Sequence, residues 1–236
     1  MLKTQKELDP TANAEAGGSW YFVEYFNNFM NYIKGKDYPV PLDFFTWHSY
    51  SNVEQNIIYA KYVRKTLDAN GFTKTESNCN EWNPGTSDRC TVRDAVNVAS
   101  NMLMWQNAPI DMAMYYNARI TSSYGGMYDP LTWEPAKCFY SFKAFNKLYT
   151  LKNQILAQSD DSNLLVVGAS DGQEVAVMLS NYSTEDTKLE IEGLDGLKEI
   201  RYCVIDKDNT FDESDASILK DGVFNGQTVL LITAKK

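Results

Sequence analysis

Residues 42–85 read LDFFTWHSYSNVEQNIIYAKYVRKTLDANGFTKTESNCNEWNPG, and the order of the pieces in this stretch decides the fold. Leu42 to Trp47 is an apolar run too short for a helix, as expected of a buried parallel strand. Val53 to Ala69 places Val53, Ile57, Ala60, Val63 and Leu67 three and four apart, which makes a helix with one inward stripe. Asn70-Gly71 supplies its left-handed cap. Phe72 to Asn80 is strand-like again and runs to Glu81. Strand, helix and strand in succession form the repeating unit of a parallel sheet.

The same alternation continues on both sides. Upstream, Ser19 can cap a helix from Trp20 to about Ile33, with Phe22, Phe26, Phe29, Met30 and Ile33 on one face. Downstream, Val92 to Gln106 reads as helix with Val92, Val96, Ala99 and Leu103 inward. Ile110 to Tyr116 is a strand, and Pro135 to Leu148 is a helix after a long loop. Beyond about Tyr149 the texture changes to short β-rich runs: Gln154–Ala157, Leu164–Gly168, Val175–Leu179, Lys188–Ile191, Ile200–Ile205 and Val229–Thr233. Turn signals such as Ser170-Asp171-Gly172 and Asp221-Gly222 separate them. That spacing predicts a small antiparallel β-sandwich over 151–236, behind an α/β part over 1–150.

Lys and Arg total 22 against 31 Asp and Glu, a net charge of −9. Such a chain has no electrostatic grip on nucleic acid or an anionic membrane. No apolar run is long enough to span a bilayer, and Met1 to Glu7 has no apolar signal region. Localisation is left open, with extracellular or periplasmic expected if the chain is part of a longer secreted one. His48 is the sole histidine, and the four cysteines are scattered, so no metal site and no cofactor are expected. Cys79 and Cys90 bracket the Glu81 turn and could bridge if the protein is secreted, although free thiols are the plainer reading.

The aromatic share of 13% is high, and the tryptophans and most tyrosines precede residue 151. Aromatic rings fill cores, but they also hold neutral, hydroxyl-rich ligands. Asn80-Glu81-Trp82-Asn83 sets a carboxylate at a strand end between amides and an indole, an arrangement suited to a sugar ring. The carboxylate would attack or stabilise an anomeric carbon while amides bind hydroxyls. The plainer reading of the segment is a turn with a solvated Glu.

The order of Ala16-Gly17-Gly18, Asp43 to Tyr50, Asn80 to Asn83 and the helix from Cys138 to Phe145 resembles retaining glycoside hydrolases of the (β/α)8 superfamily. It is most similar to family 39, the β-xylosidase and α-iduronidase type. The resemblance implies the C-terminal half of a (β/α)8 TIM barrel, units 5 to 8, followed by the β-sandwich. It implies a retaining cleavage of a β-linked glycan with Glu81 as nucleophile and Tyr50 orienting it. His48, Trp47, Trp82, Asn80, Tyr115 and Tyr116 would bind an oligosaccharide or glycoside substrate. Two plainer points stand beside this. A lone His next to a Trp is more often scaffold than catalyst, and Tyr115 and Tyr116 point to opposite faces of one strand.

A full barrel takes about 250 residues. Against the family, strands one to four and the acid/base glutamate at the end of the fourth are missing; Glu15 precedes Ala16, but its neighbours do not match. The missing N-terminal half or a second copy is therefore the expected partner, and the chain alone is expected to be inactive. A non-catalytic carbohydrate-binding or scaffold protein is the alternative.

Overall fold

The structure, a computed structural model, describes residues 19–122, 124–214 and 222–236, with side chains from residue 23 onward. The expected cap at Ser19, the inward Phe22 and the segment with Glu15 and Ala16-Gly17-Gly18 lie outside what is described. Helix α1 (Ser19–Lys34) buries Val23, Phe26, Met30 and Ile33, a single stripe at helical spacing.

Strands β1 (Phe44–Ser49), β2 (Glu76–Trp82) and β3 (Met112–Tyr115) form a three-stranded parallel sheet in that order. Helices α2 (Val53–Ala69) and α3 (Val92–Trp105) connect them, and α4 (Lys137–Leu151) follows. In β1 the side chains alternate: Phe45, Trp47 and Ser49 are buried, whereas Phe44, Thr46 and His48 point to solvent. The opposite face of the sheet therefore carries exposed Phe44, Met112 and Met114.

Local chemistry fixes the helix ends. Asn52 caps α2 by accepting the Gln55 N–H at 2.9 Å. At the other end the Phe72 N–H reaches the Leu67 carbonyl and the Gly71 N–H that of Asp68, with Gly71 at φ 89°. This is a Schellman close, and a side chain at Gly71 would strain it. Arg64 then donates to the Phe72 and Thr75 carbonyls, both at 2.6 Å, and sets the path into β2.

The rest of the described chain is antiparallel. Strands β4 (Asn153–Ile155), β5 (Leu164–Ser170), β6 (Glu174–Asn181), β8 (Lys198–Ile205), β9 (Thr210–Ser214) and β11 (Thr228–Lys235) make one six-stranded sheet, ordered β4-β5-β6-β11-β8-β9. A separate ribbon pairs β7 (Thr187–Lys188) with β10 (Val223–Phe224). On one face Val167, Ala176, Met178, Ile205, Val229 and Leu231 pack against Ala95, Val96, Ala99 and Leu103 of α3 and Ala144 and Leu148 of α4. On the other face Leu179, Val204, Leu230 and Ile232 pack with Phe224 of the ribbon.

Helix α3 thus lies between two sheets. Val98, Met102 and Trp105 belong to the core under the parallel sheet, and Val96 and Leu103 to the core under the antiparallel one. Nearly every residue from Asp94 to Trp105 is buried, which a single inward stripe did not anticipate. The change of texture near residue 150 marks the end of α4, but both sheets share the helical layer before it.

Candidate active site

Parallel strands present their C-terminal ends on one side, and there β1 and β2 bring Tyr50, His48 and Glu81 together. The Tyr50 hydroxyl donates to Glu81 Oε2 at 2.7 Å. His48 Nδ1 stands 3.4 Å from the same oxygen, with the two side chains 52% and 31% exposed. These three groups are open enough to meet a ligand. Partial burial, with the Glu81 carboxylate beside it, pushes the Tyr50 phenol well above its ordinary pKa, so it remains a hydrogen-bond donor at all physiological pH values.

A register shift between Trp47 and His48 creates this convergence, since it sets His48 opposite Glu81 instead of Asn80. Beneath it runs a buried polar chain. Ser49 Oγ donates to Asn56 Oδ1 at 2.5 Å, and Asn56 Nδ2 donates to Asn101 Oδ1 at 2.6 Å. These contacts tie the end of β1 to α2 and α3, and fix where His48 and Tyr50 leave the sheet.

Asn83 fixes the other wall. It is 1% exposed, and its Nδ2 donates to the carbonyls of Tyr116, at 2.6 Å, and Tyr124, at 3.0 Å. The long loop after β3 is thereby bound to the segment that carries Glu81. Tyr116 meets Tyr50 edge-on, with centroids 6.4 Å apart.

Three expected ligand-binding residues are corrected by burial. Trp47 is 3% exposed and donates from Nε1 to Ser77 Oγ at 3.1 Å, on the helix side of β1. Trp82 is 2% exposed and packs edge-on against Trp105 and Tyr115. The Tyr115 hydroxyl is occupied by the Gly126 N–H at 2.9 Å, while its ring packs on Phe142. All three rings fill the core between sheet and helices, so they cannot serve as sugar platforms. Asn80 is half-buried at the irregular point of β2, and its Oδ1 has no partner among the described residues.

The cysteines are also corrected. All four are free; Cys79 Sγ contacts the Glu81 carbonyl and Cys90 Sγ that of Tyr128, so the pair bracketing Glu81 is not bridged.

Sequence reading missed a second carboxyl, Asp94, at the third position of α3 and 2% exposed. It accepts the Cys90 N–H at 3.2 Å, and a Cβ at Gly126 would fall 1.6 Å from its Oδ2. Burial raises its pKa to about 7. That value would suit a general acid, but Gly126 seals the carboxyl inside, so it seats the loop after β3 and has no path to a leaving group. The signal for it was Thr91-x-x-Asp94, a helix-start pattern. Glu24 on α1 and Glu134 in the loop after β3 are exposed.

Among the described residues no three His, Cys, Asp or Glu side chains gather to hold a metal ion. No described helix is long and apolar enough to cross a membrane. A cleft of about 540 Å³ lies elsewhere, between α4 and β5, and Gln106, Tyr149, Lys152 and Gln154 help line it. It contains no carboxylate.

No family model matches the sequence, and no curated protein matches it. Solved structures do match in fold. A glucosidase from Croceicoccus marinus aligns with a TM-score of 0.67 at 14% identity, over 89% of this chain and 57% of that one. A GH39 β-xylosidase from Caulobacter crescentus aligns with a TM-score of 0.61 at 17% identity, over 89% and 54%. A GH30 endoxylanase from Clostridium papyrosolvens aligns with a TM-score of 0.54 at 14% identity, over 82% and 49%. The chain has a glycosidase-type fold, shared with more than one glycoside hydrolase family. It spans about half the length of these enzymes.

Proposed function

We propose that this chain is the nucleophile-bearing part of a retaining glycosidase acting on a β-linked glycan, related to family 39. The observation that carries the reading is the Glu81 carboxylate at a strand's C-terminal end, held by the Tyr50 hydroxyl at 2.7 Å and flanked by His48. Both contacts engage Oε2, which leaves Oε1 for the anomeric carbon. In the first step Oε1 bonds to that carbon as the bond to the leaving oxygen breaks, its electron pair departing with the leaving group. Water then attacks the same carbon, its proton passing to the acid/base of the complementary part or to solvent, and the bond to Oε1 breaks with its electron pair returning to the Glu81 carboxylate.

On this reading the three parallel strands are the sixth to eighth of a (β/α)8 barrel, and the six-stranded sheet with its ribbon is the sandwich that follows. The solvent-facing Phe44, at 56% exposure, and Met112 and Met114, at 46% each, would be interior residues of the complete barrel. Asn78 shares a register row with Thr46 and Met112, and its Oδ1 lacks a partner among the described residues. The complementary strands, from a preceding segment or a second copy, would cover this face and bring the acid/base.

The test uses a 2-fluoro glycoside with an acidic phenol as leaving group, which departs without proton transfer. Peptide mass mapping is expected to find the sugar on the peptide containing Glu81, and Glu81→Gln to abolish the label. Alkyl glycosides should not be turned over by the chain alone, because general acid help is worth about 10²- to 10⁴-fold. Labelling that is indifferent to Glu81 would overturn the assignment. Sugar binding without any labelling would favour the non-catalytic alternative.

A further inference from the structure

Beyond the carboxylate, an aromatic path leads outward. Tyr50 touches Glu81, Tyr116 stands edge-on to Tyr50 at 6.4 Å, and Tyr124 lies 5.9 Å from Tyr116 at an interplanar angle of 60°. Tyr124 is 55% exposed, so its ring offers a face to solvent. We propose that Tyr124 is the platform for a second sugar unit, next to the one seated at Glu81, so that the site prefers a β-linked oligosaccharide to a monosaccharide. The proposal rests on the glycosidase reading of the Glu81 site.

The ring is placed by construction. The Tyr124 N–H donates to Ser122 Oγ at 3.0 Å, and its carbonyl accepts from Asn83. Asn83 holds the Tyr116 carbonyl as well and follows Glu81 by two residues, so one buried amide sets both rings relative to the carboxylate. A Cβ at Gly125 would fall 2.0 Å from the Asn117 carbonyl oxygen, because the loop doubles back there and brings Tyr124 beside Tyr116. A tyrosine ring set firmly but left half open suits the apolar C–H face of a sugar, with a hydroxyl free for hydrogen bonding at its edge.

The test is calorimetric titration of the full chain with β-1,4-xylotriose and xylose, and in parallel with cellotriose and glucose. Tyr124→Ala is expected to weaken trisaccharide binding about five- to ten-fold while changing monosaccharide binding less than two-fold. Tyr124→Phe should keep trisaccharide affinity, since the ring face is retained. Tyr124 is exposed, so both variants should fold, and circular dichroism checks this. Trisaccharide affinity unchanged by Tyr124→Ala, alongside monosaccharide affinity lost in His48→Ala, would overturn the platform and leave the Glu81 site standing. Equal loss of both ligands in Tyr124→Ala would also overturn it. If the unaltered chain binds none of the four sugars, the glycosidase reading falls and takes the platform with it.

Discussion

Replacing Asp94 by Asn should raise the protein's stability relative to wild type progressively as the pH rises from 4 to 8. Burial raises this carboxyl from its ordinary 3.8 to about 7. The unfolded chain therefore releases the proton near pH 4, while the folded chain holds it until about 7. Between those values the folded state binds more protons, so stability falls as pH rises, and above 7 the penalty is complete. At about 1.4 kcal/mol per pH unit the interval is worth about 4 kcal/mol. Asn keeps the shape and an oxygen for the Cys90 N–H, but its NH2 group needs an acceptor, at a cost that does not vary with pH. The slope is therefore the decisive quantity. Urea unfolding followed by tryptophan fluorescence at pH 4.5, 6 and 8 should show a gap between variant and wild type that grows with pH. A gap that is flat, or that favours wild type increasingly toward pH 8, would mean Asp94 is ionised and compensated in the fold, and would refute the reasoning.

Gly126→Ala should destabilise the protein by about 2–3 kcal/mol, because its Cβ would fall 1.6 Å from Asp94 Oδ2. Adding Asp94→Ala should recover most of the loss, which a double-mutant cycle in urea would measure. Lys152, at φ 70° and ψ −38° after α4, holds a conformation costly for any residue with a Cβ. Lys152→Gly should raise stability by about 1 kcal/mol after the entropy cost of glycine, seen as a higher melting temperature. Glu81→Gln should lower the pH at which Tyr50 ionises, since the carboxylate adds to the burial that holds the phenol up. Ultraviolet titration would detect this shift, with Tyr115 unchanged because burial is the main cause of its own elevation.

Much of the architecture could be read from spacing. The helical stripe through Val53, Ala60, Val63 and Leu67 and the apolar runs of β5, β6 and β11 carry their periods in the sequence. Strand β9 did not, because Thr-Phe-Asp-Glu-Ser is the polar composition of an edge. The site was legible in its carboxylate and less so in its rings. Alternation gives each strand two faces without saying which one meets the helices, and here Phe44, Met112 and Met114 lie on the open face. The irregularity between Cys79 and Trp82 breaks parity further, so both are buried although three positions apart. Tyr124 was invisible for a different reason: a contact between Asn83 and a carbonyl forty-one residues on leaves no local pattern.

Strand β11, latest in sequence of the strands described, is also the central one, paired along its whole length with β6 and over most of it with β8. During synthesis the β4-β5-β6 meander and the β8-β9 hairpin emerge as separate pieces, each with an unpaired inner edge. Neither can close the sheet until residues 228–235 have left the ribosome. The nascent chain therefore spends that interval with two sticky edges and an uncovered helical layer, a window in which a chaperone has the most to protect.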